Sequence, residues 1–330
     1  MRKVALLYNP FAGTRRRLRQ TEVGQAARVF REHGVEVIPA ATEGPGSAGK
    51  QALAAIAAGA DAIICCGGDG TVHEAMQPLV SAHSRTPLGV IPLGTGNGLA
   101  CEMGMSRHPA NAAWELLRFE PRRLPVGRIQ WTAATGAAES RFFLISAGVG
   151  ADAEMLYRLP AAQKARHGLW AYYWHALRLF WTHRFLPLEV EFLPAGAEEP
   201  RHEVVAQMLA GRIEHFGGLV SRLTPGASLE RNDMQLVLFR TPRRWPILMH
   251  ATAAVLRRVW NIPGVEVVSA TEVLCRPLAD QRALPAAWSH GKLASRVYAQ
   301  ADGELLGSPP VRLTMVPDAL TLLMPPGRRN

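Results

Sequence analysis

Three short apolar runs near the start of the chain each end in a glycine-rich turn, and that recurrence limits the fold more than any other feature. Residues 3–8 read as a strand that stops at Asn9-Pro10-Phe11-Ala12-Gly13. Residues 60–66 run as a strand into Gly67-Gly68-Asp69-Gly70-Thr71, and residues 88–93 run into Gly94-Thr95-Gly96-Asn97-Gly98. Among them lie a helical stretch at 21–33 stopped by Gly34, a strand at 35–41 and an alanine-rich helix at 50–58. Thr71 and Glu74 have capping-box spacing, which predicts that a helix opens at Thr71. Strands alternating with helices predict a parallel α/β sheet, whose ligands bind beyond the carboxyl ends of its strands. All three glycine turns sit at such ends.

Beyond Arg123 the pattern changes to short strand-like runs at 141–147, 188–192, 203–209, 234–239, 265–269 and 311–316. They predict a mostly-β domain, a sandwich or barrel. Two stretches interrupt it as helices: an aromatic-rich one at 168–185 and an amphipathic one at 246–260 carrying Arg257 and Arg258. The expected domains are therefore an α/β unit over 1–123, to which residues 318–330 return, and a β unit over 124–317. At 330 residues, 48% hydrophobic and 19% charged, the chain is neither disordered nor one small domain. No apolar run of about 20 residues predicts a membrane-spanning helix. Met1-Arg2-Lys3 leads into a short strand rather than a secretory leader. Four cysteines, two of them adjacent at Cys65 and Cys66, suit buried thiols in a reducing cytoplasm. The net charge of +10 predicts an anionic partner: nucleic acid, nucleotide phosphate or acidic lipid.

The loops carry the chemistry. Glycines let backbone N–H groups approach an anion, and a helix N-terminus adds positive potential. Asp69, set among exposed amides, has the chemistry to hold Mg²⁺. The plain alternative for each loop is a tight strand-to-helix turn. Arg15-Arg16-Arg17-Leu18-Arg19 follows the first loop as a candidate phosphate or membrane contact, or as a solvated helix face. Two near-misses fail. Residues 44–51 imitate a P-loop, but Gln51 stands where Mg²⁺ needs Ser or Thr. Residues 148–153 fit a dinucleotide fingerprint without the acidic residue about 20 positions on.

Asn9–Gly13, GGDGTVHE at 67–74 and PLGTGNGLA at 92–100 together resemble the nucleotide-binding signatures of the lipid kinase family typified by diacylglycerol and sphingosine kinases. Thr42-Glu43 with Gly46 and Ala48, the K-x-x-x-G-x-x-A-Y run from Lys164 to Tyr172, and Asp302-Gly303-Glu304 extend the likeness over almost the whole chain. The resemblance implies an α/β domain like that of phosphofructokinases and NAD kinases, followed by a β-sandwich lipid domain. It implies ATP and Mg²⁺, and a lipid hydroxyl as acceptor at the cytoplasmic membrane surface. Gly67, Gly68, Asp69, Gly70 and Thr71 would cradle ATP phosphates. Asn9, Gly13, Thr14, Thr42, Glu74, Gly94, Thr95, Gly96 and Asn97 would complete the nucleotide site. Glu304 would accept the hydroxyl proton with Asp302 beside it, although Asp69, Asp302 and Glu304 all remain candidates for the base. Asp69 is also the candidate metal ligand. Asp152 and Lys164 are the candidate substrate contacts. Family members often bind an accessory Mg²⁺ after a P-x-A turn. Here Arg231 stands where an acidic residue is common, and a cation there repels a metal ion.

Two segments bear on the lipid. Trp170, Tyr172, Tyr173, Trp174, Phe180 and Trp181 suit a bilayer interface or acyl cleft, or a plain aromatic core helix. Residues 240–261 carry five arginines and no acid among Trp245, Ile247, Leu248, Val255, Leu256 and Trp260, which suits an interfacial helix on anionic lipid or an ordinary surface helix. The competing functions are phosphorylation of a soluble molecule, and a nucleotide- and membrane-binding module without catalysis. No nucleic-acid-binding signature is recognisable.

Overall fold

The computed structural model describes residues 1–10, 18–133, 135–151, 153–154, 181, 185–217, 222–278 and 297–327. Gly13, Thr14, Arg15, Arg16, Arg17, Asp152, Lys164 and the aromatic residues 170–180 lie outside them. The described residues form two compact units. One draws on Met1–Pro125 and Pro317–Asn330, the other on Val126–Lys164 and Leu169–Val316.

The first unit is a parallel sheet of β1 (Lys3–Tyr8), β2 (Glu36–Ala41), β3 (Ala62–Gly67) and β4 (Leu88–Pro92). Its order is β2-β1-β3-β4. Every residue of β3 and β4 is buried, as both-faced burial in a parallel sheet requires. β2 is an edge strand, so Pro39 removes no needed hydrogen bond. The connections are α1 (Arg19–Glu32), α2 (Ser47–Ala57) and α3 (Asp69–Ser81); α4 (Gly98–Glu102) and α5 (Pro109–Leu116) follow β4. α1 buries Val23, Ala26, Ala27 and Phe30, the i, i+3, i+4, i+7 stripe of a helix on a sheet. Strand order reverses between β1 and β3, so the loops that follow them flank the topological switch point.

The expected opening of α3 at Thr71 is corrected. The helix starts at Asp69 with Gly68 as an extended N-cap, and no side chain caps it. Asp69 instead contributes a carboxylate to the first turn, where the helix dipole favours one.

The second unit is antiparallel. Its strands include β5 (Glu120–Thr132), which begins in the first unit, then β6 (Ala138–Phe143), β7 (Ser146–Val149), β8 (Leu188–Pro194), β9 (Arg201–Val205) and β10 (Gln207–Gly211). They continue with β11 (Met234–Phe239), β12 (Val265–Pro277), β13 (Ala299–Ala301), β14 (Glu304–Gly307) and β15 (Val311–Met324), and one helix, α6 (Arg244–Val255), is described among them. The main path is β14-β13-β7-β10-β11-β12-β15, with the β5–β6 and β8–β9 hairpins branching from β15 and β12. A bulge between Ala270 and Glu272 lets β12 leave β11 and pair with β8 and β15. Side chains from both branches meet in one core that includes Phe143, Val190, Phe192, Met208, Leu236 and Val273. This is the layered packing of a sandwich.

Two expected strands are each two. Residues 141–147 divide into β6 and β7, and 203–209 divide into β9 and β10 at Ala206, where the chain changes partners from β8 to β7 and β11. The 246–260 segment is also corrected. α6 ends at Val255 and is apolar on its buried and exposed sides alike. The last part of β15 lies in the first unit, where Leu322 aligns with Leu88 of β4. Arg123 anchors it by donating to the Asp318 carbonyl at 2.6 Å and the Ser84 carbonyl at 2.7 Å.

Cys65, Cys66 and Cys275 are buried, and burial raises all three thiols, Cys66 and Cys275 to about 12. Cys101 is only half-buried. At pH 8, Ellman's reagent should therefore titrate one thiol in the native chain and all four in guanidinium. A second fast-reacting native thiol would contradict this core.

Candidate functional site

The loops after β3 and β4 are locked together by backbone contact. A Cβ on Gly94 would lie 2.4 Å from the Gly68 Cα, and one on Gly68 would lie 3.2 Å from the Gly94 Cα. Only glycine permits that approach. Leu93 N–H donates to the Gly67 carbonyl at 2.9 Å. Asn97 then closes its own loop from a left-handed backbone, φ 58°. Its Oδ1 accepts from the Gly94 N–H and its Nδ2 donates to the Gly94 carbonyl, both at 2.9 Å. Asparagine tolerates that conformation because its short amide bonds locally.

Asp69 ties the two loops a second time. Its Oδ2 accepts from Gly98 N–H at 3.0 Å and its Oδ1 from Leu99 N–H at 3.3 Å, so it caps α4 from the first turn of α3. The Thr71 side chain packs over Gly67. Gly70 is exposed, with open space where a side chain would stand. The result is an open-mouthed cradle at the N-terminus of a 13-residue helix, whose first N–H groups lack partners within the helix. Thr95 stands exposed at the loop tip and Gly96 approaches Asp69. Thr42, at the end of β2, is buried, and its N–H donates to the Tyr8 carbonyl at 2.8 Å. Asn9 follows β1 directly. Glu74 lies in the second turn of α3, half-buried and within electrostatic reach of Cys65.

Arg19, the one described arginine of the basic run, is 1% exposed and bonds Glu22 at 3.2 Å. It is thus not a solvated-face residue. Burial lowers its pKa, while Glu22 and the nearby Cys66 thiol oppose that shift. The sequence shows it only as one arginine among four, so nothing local marked it for burial beneath the end of β3.

In the second unit, Asp302 and Gly303 form the two-residue turn of the β13–β14 hairpin, with Ala301 paired to Glu304. Both have positive φ, 47° and 83°, as a type I′ turn requires. The Asp302 carboxylate is a clamp. Oδ1 accepts from Ile145 N–H at 2.8 Å and Ser146 N–H at 2.9 Å, and Oδ2 from Leu144 N–H at 2.8 Å. Those N–H groups lie where the chain passes from β6 to β7, and Asp302 replaces the ladder bonds lost there. Gln300 adds a second brace, its Oε1 accepting from Gly303 N–H at 3.0 Å, and it went unmarked in the sequence. Glu304 is half-buried at the first position of β14.

Two magnesium positions can be tested against the residues present. Among the described residues, no three His, Cys, Asp or Glu side chains group to hold a metal ion. Mg²⁺ does not need such a cage, since it commonly takes one or two carboxylates together with substrate phosphates. Asp69, whose two carboxylate oxygens face the Gly98 and Leu99 N–H groups at the mouth of the cradle, fits that mode. The accessory position does not fit. There Arg212, fully buried, donates to the carbonyls of Leu229 at 2.7 Å, Arg231 and Asp233, so a guanidinium already occupies the acceptors of that loop. Arg231 engages the Asp233 carboxylate.

A glycine cradle at a helix N-terminus, on the carboxyl edge of a parallel sheet at its switch point, is the arrangement with which α/β proteins commonly bind phosphate. Residues 3–129 match the model of the diacylglycerol kinase catalytic domain. A diacylglycerol kinase of Bacillus subtilis strain 168 is 30% identical over 255 residues, covering 77% of this chain and 79% of that one. One from Staphylococcus saprophyticus is 24% identical over 239 residues, 72% of this chain and 73% of that one. The fold is similar to a solved diacylglycerol kinase from Bacillus anthracis strain Sterne, with a TM-score of 0.67, 18% identity and coverage of 98% and 97%. The chain belongs to the diacylglycerol kinase family of lipid kinases.

Gly94→Ala should weaken ATP binding about tenfold, because its Cβ forces apart two backbones at a cost of ~1–3 kcal/mol. Calorimetry with ATP checks this, and unchanged affinity would show that the loop contact is dispensable. Asp302→Asn places an amide against backbone N–H groups. It should lower stability in urea by about 1–3 kcal/mol for the donor left unsatisfied.

Proposed function

We propose that the chain transfers the γ-phosphoryl group of ATP to a hydroxyl of diacylglycerol, or of a related lipid such as a sphingoid base, drawn from a membrane surface. The observation that carries this reading is the Gly68–Gly94 contact, which aims the first turn of α3 and the Gly94–Asn97 loop at one open space. Phosphoryl transfer asks the protein for positioning and charge neutralisation more than for covalent chemistry. The cradle amides and the α3 N-terminus supply both for the phosphates. Mg²⁺ bound by Asp69 and the nucleotide would neutralise developing charge on the phosphoryl oxygens.

Glu304 is assigned as the acceptor of the lipid hydroxyl proton and Asp302 as its positioning residue. The support is the division of labour in the turn. Asp302 spends its two oxygens on three backbone N–H groups, whereas Glu304 opens the strand that Asp302 anchors. A carboxylate within hydrogen-bond reach of the hydroxyl is sufficient as a base. Asp152 and Lys164 retain their assignment as lipid contacts, from the family likeness alone.

Radiolabel transfer from ATP with Mg²⁺ to diacylglycerol and sphingosine in detergent micelles tests the reading. Glu304→Gln should lower turnover by about 10²–10⁴-fold, the range of general-base catalysis, with ATP affinity and thermal midpoint retained. Transfer to NAD or a sugar phosphate, with none to any lipid, would replace this function with a soluble-substrate kinase.

A further inference from the structure

We propose that α6 and the segment after it form a docking surface for anionic phospholipid bilayers, with a head-group site at Arg258. A surface helix normally shows one apolar stripe and one polar face. α6 does not. Pro246, His250, Ala253 and Ala254 are buried inward, while Trp245, Leu248, Thr252 and Val255 are exposed at spacings of 3, 4 and 3, which is a single outer face. The polar group on that face is already bonded within the helix, because the Thr252 hydroxyl donates to the Leu248 carbonyl at 2.8 Å. Leu256, Val259 and Trp260 continue the exposed apolar surface. Trp181, as exposed as Trp245, is tied to α6 by the Arg244 guanidinium, which donates to the Trp181 carbonyl at 3.1 Å.

The charges identify the occupant. No acidic residue lies between 240 and 261. Among the described residues, no carboxylate pairs with Arg243, Arg257 or Arg258. The chain leaves α6 through a paired turn, Arg258 N–H to the Ala253 carbonyl at 2.9 Å and Arg257 N–H to the Ala254 carbonyl at 3.3 Å. This is a Schellman motif whose left-handed position ordinarily belongs to glycine. Here Arg257 holds it at φ 54°, a strained arginine whose side chain pairs with no carboxylate among the described residues. Arg258 also lines a hollow of about 230 Å³, where Arg222, His250 and Asn261 are its polar neighbours and Val259 and Trp260 belong to a mostly apolar wall. Glu214 already neutralises Arg222. His250 is held below its ordinary pKa by burial, opposed by its bond to the Leu223 carbonyl. Among the described residues, Arg258 is thus the cation of the hollow without a carboxylate partner. A phosphodiester there would meet a guanidinium, the Asn261 amide and an aromatic rim, while Trp245, Leu248, Leu256 and Val259 enter the interface. A second copy of the chain fits poorly, since a self-contact would oppose like charges.

The docking surface extends the membrane part of the proposed function but needs neither ATP nor turnover, so the two fail separately. The test is cosedimentation of the full chain with sucrose-loaded vesicles of phosphatidylcholine, alone or with phosphatidylglycerol. Wild type should bind the mixed vesicles, more weakly as salt rises. Arg243→Gln, Arg257→Gln and Arg258→Gln should each lose about fivefold in binding, and Trp245→Ala about tenfold. Arg257→Gly is the decisive variant. It relieves the left-handed backbone, so its thermal midpoint should hold or rise while vesicle binding falls. All variants should match wild type in phosphorylating short-chain diacylglycerol in micelles. Wild-type binding that is absent, or unchanged across the arginine variants, overturns the surface. So does equal, variant-sensitive binding to duplex DNA, or a self-association lost on Trp245→Ala. Vesicle binding as expected with no lipid phosphorylation in micelles leaves the docking surface standing and removes the reaction.

Discussion

The first unit depends on one place where two backbones touch. Gly68 and Gly94 approach so closely that a side chain on Gly94 would strike the Gly68 backbone, and this brings the loop after β3 against the loop after β4. Asp69 adds a charge-assisted brace by capping α4 from the start of α3. These two braces hold the loops together without a ligand, which lowers the ordering that binding would require. The cradle presents backbone N–H groups and a helix N-terminus, the features that favour an anion.

Elsewhere, charged side chains bond backbone in place of other side chains. Asp302 gathers three N–H groups where β6 gives way to β7, and Arg212 gathers three carbonyls from residues 229–233. Each charge satisfies orphaned backbone polar groups, and those groups in turn solvate the charge. Such clamps satisfy backbone groups that irregular crossings in the β unit leave without ladder partners. Arg212 also explains why the family's accessory metal position does not carry over, because a guanidinium holds that loop.

Much of the first unit was legible in the sequence. β1, β3 and β4 are fully or mostly buried parallel strands, so their apolar runs announce them, and the glycine turns mark their carboxyl ends. The opening of α3 was less so, because the Thr71–Glu74 spacing imitates a cap that the backbone does not use. In the second unit, the runs at 141–147 and 203–209 each looked like one strand, since nothing local records that a chain changes partners at Leu144 or Ala206. The internally bonded Thr252 hydroxyl and the arginine in a glycine position likewise change the reading of 246–260 from an amphipathic helix to an apolar one with cations beyond its end.

The sequence by itself determined the α/β order, the three loops and the residue types able to cradle phosphate, because glycine turns and strand periodicity act over a few residues. Only the tertiary structure decided what the charges do. Asp69 caps a helix about 30 residues away, Asp302 reaches back to residues 144–146, and Arg19 and Arg212 are buried while Arg257 and Arg258 are exposed. A charge looks the same in sequence whether it ends in water or in a carbonyl cage. Its role is set by desolvation and by partners that folding brings from distant parts of the chain.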